Sequence, residues 1–171
     1  MRFLSQFPWF RREASLLDVD YAKGPLLPNG AAKILRHMPV GDKILTISPG
    51  SLELQEMPRG TTYAEYYKMH SAEGLCDVQI LDALVEVITR NPPSIKKFIR
   101  EFFGEFAGQI FFLGTSFASE DGRECVPFLN LNTHFPALRY ICPATHPINH
   151  DVCCCACFFR PGRQKQLSLQ S

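Results

Sequence analysis

The stretch that decides the predicted fold is CDVQILDALVEVITRNPPSIKKFIREFFGEFA, residues 76–107. Asp77 is typical of a helix N-cap, and Arg90 suits the last helical turn, where a cation meets the negative end of the helix dipole. The apolar side chains between them recur at helical spacing and form one stripe: Val78, Leu81, Leu84, Val85 and Ile88. Ile80 and Val87 add a second stripe. The pattern predicts a helix that is covered on more than one side.

The second half of this stretch predicts another helix, because the sequence NPP ends the first one. From Ser94 onward the apolar residues recur at steps of three and four: Ile95, Phe98, Ile99, Phe102, Phe103 and Phe106. We interpret this stripe as a core face, with contact to a partner protein as the alternative. Two helices joined by three residues form an antiparallel hairpin, so we expect one over 77–107.

Short strands are expected around this hairpin. DKILTIS and SLELQEM alternate apolar and polar residues on either side of the dipeptide Pro49–Gly50, which predicts a β-hairpin over 43–57. AAKILRHM, residues 31–38, is predicted as a two-turn helix that ends before a proline. VPFLNLNTHF, residues 126–135, is predicted as a strand, although its alternation is imperfect, and Pro127 would place it at a sheet edge.

The expected fold class is α+β, with a central antiparallel helical hairpin packed against short β-strands and with irregular N- and C-terminal segments. Three segments are expected along the chain. They are an irregular N-terminal arm over 1–30, a mixed α/β domain over 31–141 that contains the helical hairpin 77–107, and a Cys/His-rich C-terminal tail over 142–171. A chain of 171 residues is long enough for one domain with a buried core.

The composition is that of a globular protein, since 46% of the residues are hydrophobic and 20% are charged. The net charge of +1 gives no global electrostatic case for nucleic-acid binding. The longest apolar run is VCCCACFF, far shorter than the roughly 20 residues that span a bilayer. Seven cysteines, three of them adjacent, do not suit a secreted disulfide framework. We therefore expect a cytoplasmic protein.

The stretch HPINHDVCCCACFFRPGR, residues 146–163, is the main candidate for a functional site. Zinc binds four nitrogen or sulfur ligands in a tetrahedron. This stretch and the residues just before it supply candidate ligands: Cys142, His146, His150, Cys153, Cys154 and Cys157. Pro143 and Pro147 prevent a helix here, so a loop would have to gather the first three. No cofactor is expected other than zinc. The same residues also fit a buried strand in which Cys acts as a small hydrophobe.

Reversible acylation is a further alternative for this stretch. The candidate cysteines are Cys153, Cys154, Cys155 and Cys157, which lie beside Phe158–Phe159. Arg160, Arg163 and Lys165 follow, and no acidic residue follows Asp151. Two acyl chains with a basic segment would attach the protein stably to anionic membranes. In this alternative the protein is membrane-associated.

No enzymatic motif is present, because the chain has neither a GxSxG elbow nor a phosphate-binding glycine loop. A Cys–His pair could be assembled from Cys125 or Cys142 with His134 or His150, without a family-specific cysteine signature. The main expectation is a non-enzymatic intracellular module for protein binding or scaffolding, whose partner is another protein.

One segment carries a family resemblance. In ISPGSLELQEMPRGTTYAEYYKMH, residues 47–70, Thr62 and Glu65 have the spacing of a capping box, which predicts a helix. The segment resembles the closing strands and the T-[FY]-A-E-Y-Y-K helix of PAZ domains in Dicer-type proteins, which hold RNA 3′ ends. The close match runs from Thr62 to Lys68, and the following SAEGLCDVQILDALV departs from the family. The resemblance implies RNA as a further partner, and no binding residue is carried over.

Overall fold

The computed structural model describes residues 16–90, 95–131, 139–148 and 151–161. Within these ranges the helices and strands are, in chain order, β1 Leu17–Asp20, β2 Ala31–His37, β3 Ile44–Ile47, β4 Leu52–Glu56, α1 Tyr63–His70, α2 Val78–Arg90, α3 Ile95–Phe103, β5 Gln109–Phe111, β6 Thr115–Ser119, β7 Glu124–Asn130, β8 Arg139–Pro143 and β9 Cys154–Phe159. Two short 3-10 turns, Tyr21–Lys23 and Pro49–Ser51, join strands.

A seven-stranded mixed sheet forms the centre of the fold. Its strand order is β2-β6-β7-β5-β9-β4, and β8 also pairs with β7. The pairing of β5 with β9 is parallel, and the other pairings are antiparallel. β1 and β3 form a separate antiparallel pair that packs on α2.

The prediction of a central helical hairpin against short strands is therefore wrong. Both helices exist, but α2 packs on β1, β7 and β8, whereas α3 packs on β4 and the turn before it. They cover a sheet whose strands come from distant parts of the chain, and periodicity along the sequence does not reveal such pairing. The residues joining the helices, 91–94, lie outside the described ranges and include the predicted helix start at Ser94.

The local features of the helices are confirmed. The predicted stripe of α2 is buried, and its five members are between 0% and 6% exposed. Asp77 caps the helix, because its Oδ1 accepts from the backbone N–H groups of Gln79 at 2.8 Å and Ile80 at 3.3 Å. In α3, Phe98 and Phe102 are buried in the same core as the α2 stripe, as the core interpretation predicts.

The capping box of α1 is also present. Thr62 Oγ1 accepts from the backbone N–H of Glu65 at 3.2 Å, and a carboxylate oxygen of Glu65 accepts from the backbone N–H of Thr62 at 2.9 Å. The helix therefore begins where the sequence predicts.

Two predicted elements differ from the observed ones. Residues 31–38 were expected to be helical, yet β2 occupies Ala31–His37 and pairs with β6, because long-range pairing overrides the propensity of a short apolar run. The predicted hairpin over 43–57 is absent, although both strands exist. β3 pairs with β1 and β4 pairs with β9, since Pro49–Ser51 form a 3-10 turn that directs the chain away instead of reversing it.

The expectation of an edge strand at Pro127 is wrong, because β7 pairs with β5, β6 and β8. Pro127 falls between Cys125, which pairs with β6, and Phe128, which pairs with β5. Its carbonyl accepts from the N–H of Phe112 at 3.1 Å. The N and C=O of one strand residue point to the same side of the strand. The nitrogen of Pro127, which has no hydrogen to donate, therefore points to the position between the β6 pairing and the β5 pairing.

The terminal segments are also more regular than predicted. β1 lies in the expected irregular arm, and β9 lies inside the central sheet, between β5 and β4. The boundary expected between residues 141 and 142 falls within β8.

Candidate functional site

The cysteine-rich stretch forms an interior strand. In β9, Cys155 faces Glu56 of β4 on one side and Ile110 of β5 on the other. The two faces of β9 contribute side chains to two different buried clusters, as strand geometry requires. Cys154, Ala156 and Phe158 belong to the cluster that contains Tyr63, Tyr66 and Phe111, and Cys157 belongs to the cluster of α2 and α3. The sulfur atoms here contribute to the core as small hydrophobic groups do.

The structure does not gather the predicted zinc ligands. Cys154 and Cys157 are buried on opposite faces of β9, Cys153 is exposed, and His146 lies in an exposed turn. Among the residues that the structure describes, no three His, Cys, Asp or Glu side chains are placed to hold a metal ion. His150 lies outside those residues. Cys157 instead contacts the thiol of Cys76, and both side chains are fully buried.

Cys142 and His146 both line an aromatic pocket of about 440 Å³. The pocket contains stacked rings: Tyr63 lies 4.3 Å from Phe111, and Phe111 lies 5.0 Å from Phe128. Burial raises the pKa of the Cys142 thiol to about 12, and neighbouring cysteines add to the shift. A neutral, buried thiol is a poor nucleophile and a poor metal ligand until it loses its proton.

The same pocket contains the first tyrosine of the PAZ-like segment, Tyr63. Its described lining residues are otherwise Gln109, Phe111, Phe128, Cys142, His146, Pro147 and Ile148. None of them is Lys or Arg, so this lining supplies no permanent cation to neutralise a phosphate. Support for RNA as a partner therefore still comes from the sequence segment alone.

The predicted acylation sites differ in accessibility. Cys153 is exposed, whereas Cys154, Cys155 and Cys157 are 3%, 5% and 0% exposed. An enzyme that transfers an acyl chain could reach Cys153 in the folded domain, but the other three would require β9 to open. The basic residues Arg163 and Lys165 lie outside the described ranges.

A polar network at the start of α2 joins a histidine, a threonine and a glutamine. His37 Nδ1 lies 2.9 Å from Thr115 Oγ1, and its Nε2 lies 2.8 Å from Gln79 Oε1. Thr115 is 0% exposed, and its Oγ1 also accepts from the N–H of Val78 at 3.0 Å. Because the Thr115 hydroxyl is buried and bonded on both sides, the network anchors α2 to β2 and β6. Of the predicted Cys–His candidates, Cys125 is buried, and His134 and His150 are outside the described ranges.

A second polar contact fixes the same end of α2. Asp77 is 0% exposed, and its Oδ2 accepts from the Tyr21 hydroxyl at 2.8 Å and from the N–H of Val40 at 3.0 Å. Burial, followed by the charge of Asp77, raises the pKa of Tyr21. The tyrosine stays protonated and holds the segment after β1 against α2.

A groove of about 730 Å³ lies between α2 and the β1 segment, and we call it the α2 groove. Its lining includes Leu16, Leu26 and Ile44, which are large aliphatic side chains and yet are 56%, 56% and 69% exposed. Ala83 and Val85 on α2 form part of its floor and are almost fully buried. Exposed aliphatic side chains around a concave surface are typical of interaction sites.

The α2 groove carries a negative charge. Its described lining contains four carboxylates, Asp18, Asp20, Asp82 and Glu86, and two cations, Lys23 and Arg90, which gives a formal charge of −2. Both cations pair with acids of the groove itself: Lys23 lies 3.7 Å from Asp20, and Arg90 contacts Glu86. The acid excess is a local property that the net charge of +1 for the whole chain conceals.

Sequence reasoning did not identify the α2 groove. Ile44 falls in the predicted hairpin, and Leu16 and Leu26 fall in the predicted irregular arm. The only feature of the sequence that could indicate this groove is the presence of aliphatic residues in segments that are rich in acidic and turn-forming residues.

No protein-family model, curated protein or solved structure matches the chain. The helices in the described part of the chain are all too short or too polar to cross a membrane.

Proposed function

We propose that this protein is a non-enzymatic protein-binding module whose α2 groove binds a segment of a partner protein that carries apolar side chains and Lys or Arg residues. The observation that carries the proposal is the exposure of Leu16, Leu26 and Ile44 around an acidic groove. Aliphatic side chains of the partner would be buried against these residues, which removes apolar surface from water.

The charge of the groove selects the partner. A formal charge of −2 attracts basic segments and repels acidic ones, so it contributes to specificity and to the association rate. Asp18 is held in place because its Oδ1 accepts from Thr46 Oγ1 at 2.7 Å. A carboxylate that is already oriented loses less entropy when it pairs with a cation of the partner.

The anchoring of α2 supports the same proposal. One wall of the groove is α2, whose N-terminus is fixed by Asp77 and by the His37–Gln79 contact. The other wall, β1, is paired with β3 through all four of its residues. A groove between two fixed elements is preformed, and a preformed site binds a peptide at a lower entropic cost.

The other functions expected from the sequence remain predictions. Most of the predicted zinc and acylation residues are separated, buried or outside the described ranges, and RNA binding has no assigned residues, whereas every residue of the α2 groove named above is described. The groove is therefore the site with the most direct support.

The test measures the affinity of the full chain for synthetic peptides by fluorescence polarisation. One peptide alternates Leu with Lys, and a second replaces each Lys with Glu. We expect the basic peptide to bind, its affinity to fall as salt increases, and the acidic peptide to bind much more weakly.

Matched substitutions locate the binding site. Ile44→Ala removes a groove side chain, and we expect it to weaken binding of the basic peptide about tenfold. Leu35→Ala is the control, since Leu35 is 47% exposed on β2 and does not line the groove. Equal affinities for the two variants would contradict the proposal, as would the absence of binding. Self-association that Ile44→Ala abolishes would instead identify a second copy of the chain as the occupant.

A further inference from the structure

All seven cysteines lie in the described part of the chain, and Cys153 is the only one that is exposed. Its sulfur atom lies 3.8 Å from that of Cys155, two residues further along. A disulfide has a sulfur–sulfur distance of about 2.05 Å, so the two atoms need to approach by only about 1.8 Å. Residues two apart on an extended chain point to the same side, which accounts for their proximity.

From this pair we propose that Cys153 and Cys155 form a reversible intramolecular disulfide when the protein reacts with a low-molecular-weight disulfide. The inference concerns the start of β9 and does not rest on the α2 groove. It assigns different roles to the two thiols, because one is accessible to a reagent and the other is 5% exposed.

The reaction proceeds in two exchange steps. The thiolate of Cys153 attacks one sulfur of the low-molecular-weight disulfide, a mixed disulfide forms, and the first small thiolate leaves and is protonated by water. The thiol of Cys155 then gives its proton to water and attacks the Cys153 sulfur, which displaces the second small thiolate. Two protein thiols are oxidised to one disulfide, and the reagent is reduced to two thiols.

The surroundings favour this order of attack. Burial, followed by the proximity of Cys153, raises the pKa of Cys155 to about 12, so Cys155 is mostly protonated and Cys153 is the thiol that reacts first. A small pocket of about 180 Å³ opens at Cys153, and its lining includes Arg59. The lining also contains Glu56 and Asp151, so the pocket gives a reagent access to Cys153 without attracting anionic reagents in particular.

The neighbouring thiols are poor competitors. Cys154 points to the opposite side and lies 3.7 Å from Gln109 Oε1, inside the aromatic cluster. Cys157 and Cys76 contact each other in the core, where no reagent reaches them. The fold thus selects one pair from a run of cysteines that the sequence alone cannot resolve.

The experiment treats the full chain with glutathione disulfide, blocks the remaining thiols with N-ethylmaleimide, reduces the protein, and labels the released thiols with iodoacetamide. Mass spectrometry then locates the second label. We expect it on Cys153 and Cys155 together. In Cys155→Ser we expect glutathione to stay on Cys153, and in Cys153→Ser we expect no oxidation at Cys155. Cys142→Ser is the matched control and should still form the pair.

Three results would overturn the proposal. They are stable glutathione on Cys153 of the unsubstituted chain, release of a different pair of cysteines, or no reaction under conditions that oxidise the urea-unfolded chain. Circular dichroism checks that each variant is folded. If Cys155→Ser does not fold, the location of the label in the unsubstituted chain still decides the question.

Discussion

β9 and the α2 groove use apolar residues in opposite ways. In β9 five of the six residues are buried, although cysteine predominates and the sequence suggested a chemical site. In the groove, Leu16, Leu26 and Ile44 are more than half exposed, although aliphatic residues usually lie in a core. The comparison shows that residue type alone does not distinguish the residues of the core from those of the proposed binding groove. Cysteines stabilise the interior here, and aliphatic side chains are the exposed group.

Alkaline pH should have the largest effect, and it should act on Cys155 of β9 and on Cys142 of β8, which packs against the cluster of Cys154. Burial raises the pKa values of Cys142 and Cys155 to about 12, from an ordinary value of about 9. Because the folded-state pKa is the higher one, the stabilisation is complete below about pH 9 and is lost as the pH rises towards about 12. Burial also raises the pKa of Tyr63, which contributes in the same direction.

Urea unfolding at a series of alkaline pH values measures this effect. The free energy of unfolding should fall with pH, and Cys142→Ala should make the fall shallower. Cys153→Ser, which removes only the smaller contribution to the raised pKa of Cys155, should change the slope less than Cys142→Ala does. If the free energy of unfolding stays constant through this range, the thiols of Cys142 and Cys155 are not buried in solution. That result would contradict the buried position of Cys155 in β9.

Phe158→Ala should have the next largest effect. Phe158 is 0% exposed, its ring meets the edge of His70, and the Arg160 guanidinium lies 4.7 Å from the ring centroid. Removing a buried aromatic side chain leaves a cavity and costs about 3–5 kcal/mol. Urea unfolding at neutral pH measures the loss. A loss below about 1 kcal/mol would indicate that β9 packs loosely and that its burial is not important for stability.

The features that sequence reasoning predicted correctly are local ones. The buried stripe of α2, its N-cap at Asp77 and the capping box of α1 all depend on residues within a few positions of one another. Helical periodicity and capping are properties of adjacent turns, so a single sequence contains the whole signal.

The features that sequence reasoning missed depend on residues that are distant from one another in the chain. In β9, Cys155 pairs with Glu56 of β4 and with Ile110 of β5, and nothing in the sequence near Cys155 specifies either partner. The α2 groove requires β1 to lie beside a helix about 60 residues further on, as the hydrogen bond from Tyr21 to Asp77 shows. The cysteine run could be predicted as an apolar strand from its composition, but its two covered faces could not, because they depend on the layers that enclose it.

Ile44→Ala should have the smallest effect on stability, and it tests the groove side of the comparison. Ile44 is 69% exposed, so its truncation removes little buried surface, and the free energy of unfolding should change by no more than about 0.5 kcal/mol. The same substitution is expected to weaken binding of the basic peptide about tenfold, which corresponds to about 1.4 kcal/mol. A large loss of stability would show that Ile44 contributes to the core, and the groove would then resemble β9. A loss of binding at unchanged stability would establish that its exposure serves recognition, because the folded state gains nothing from it.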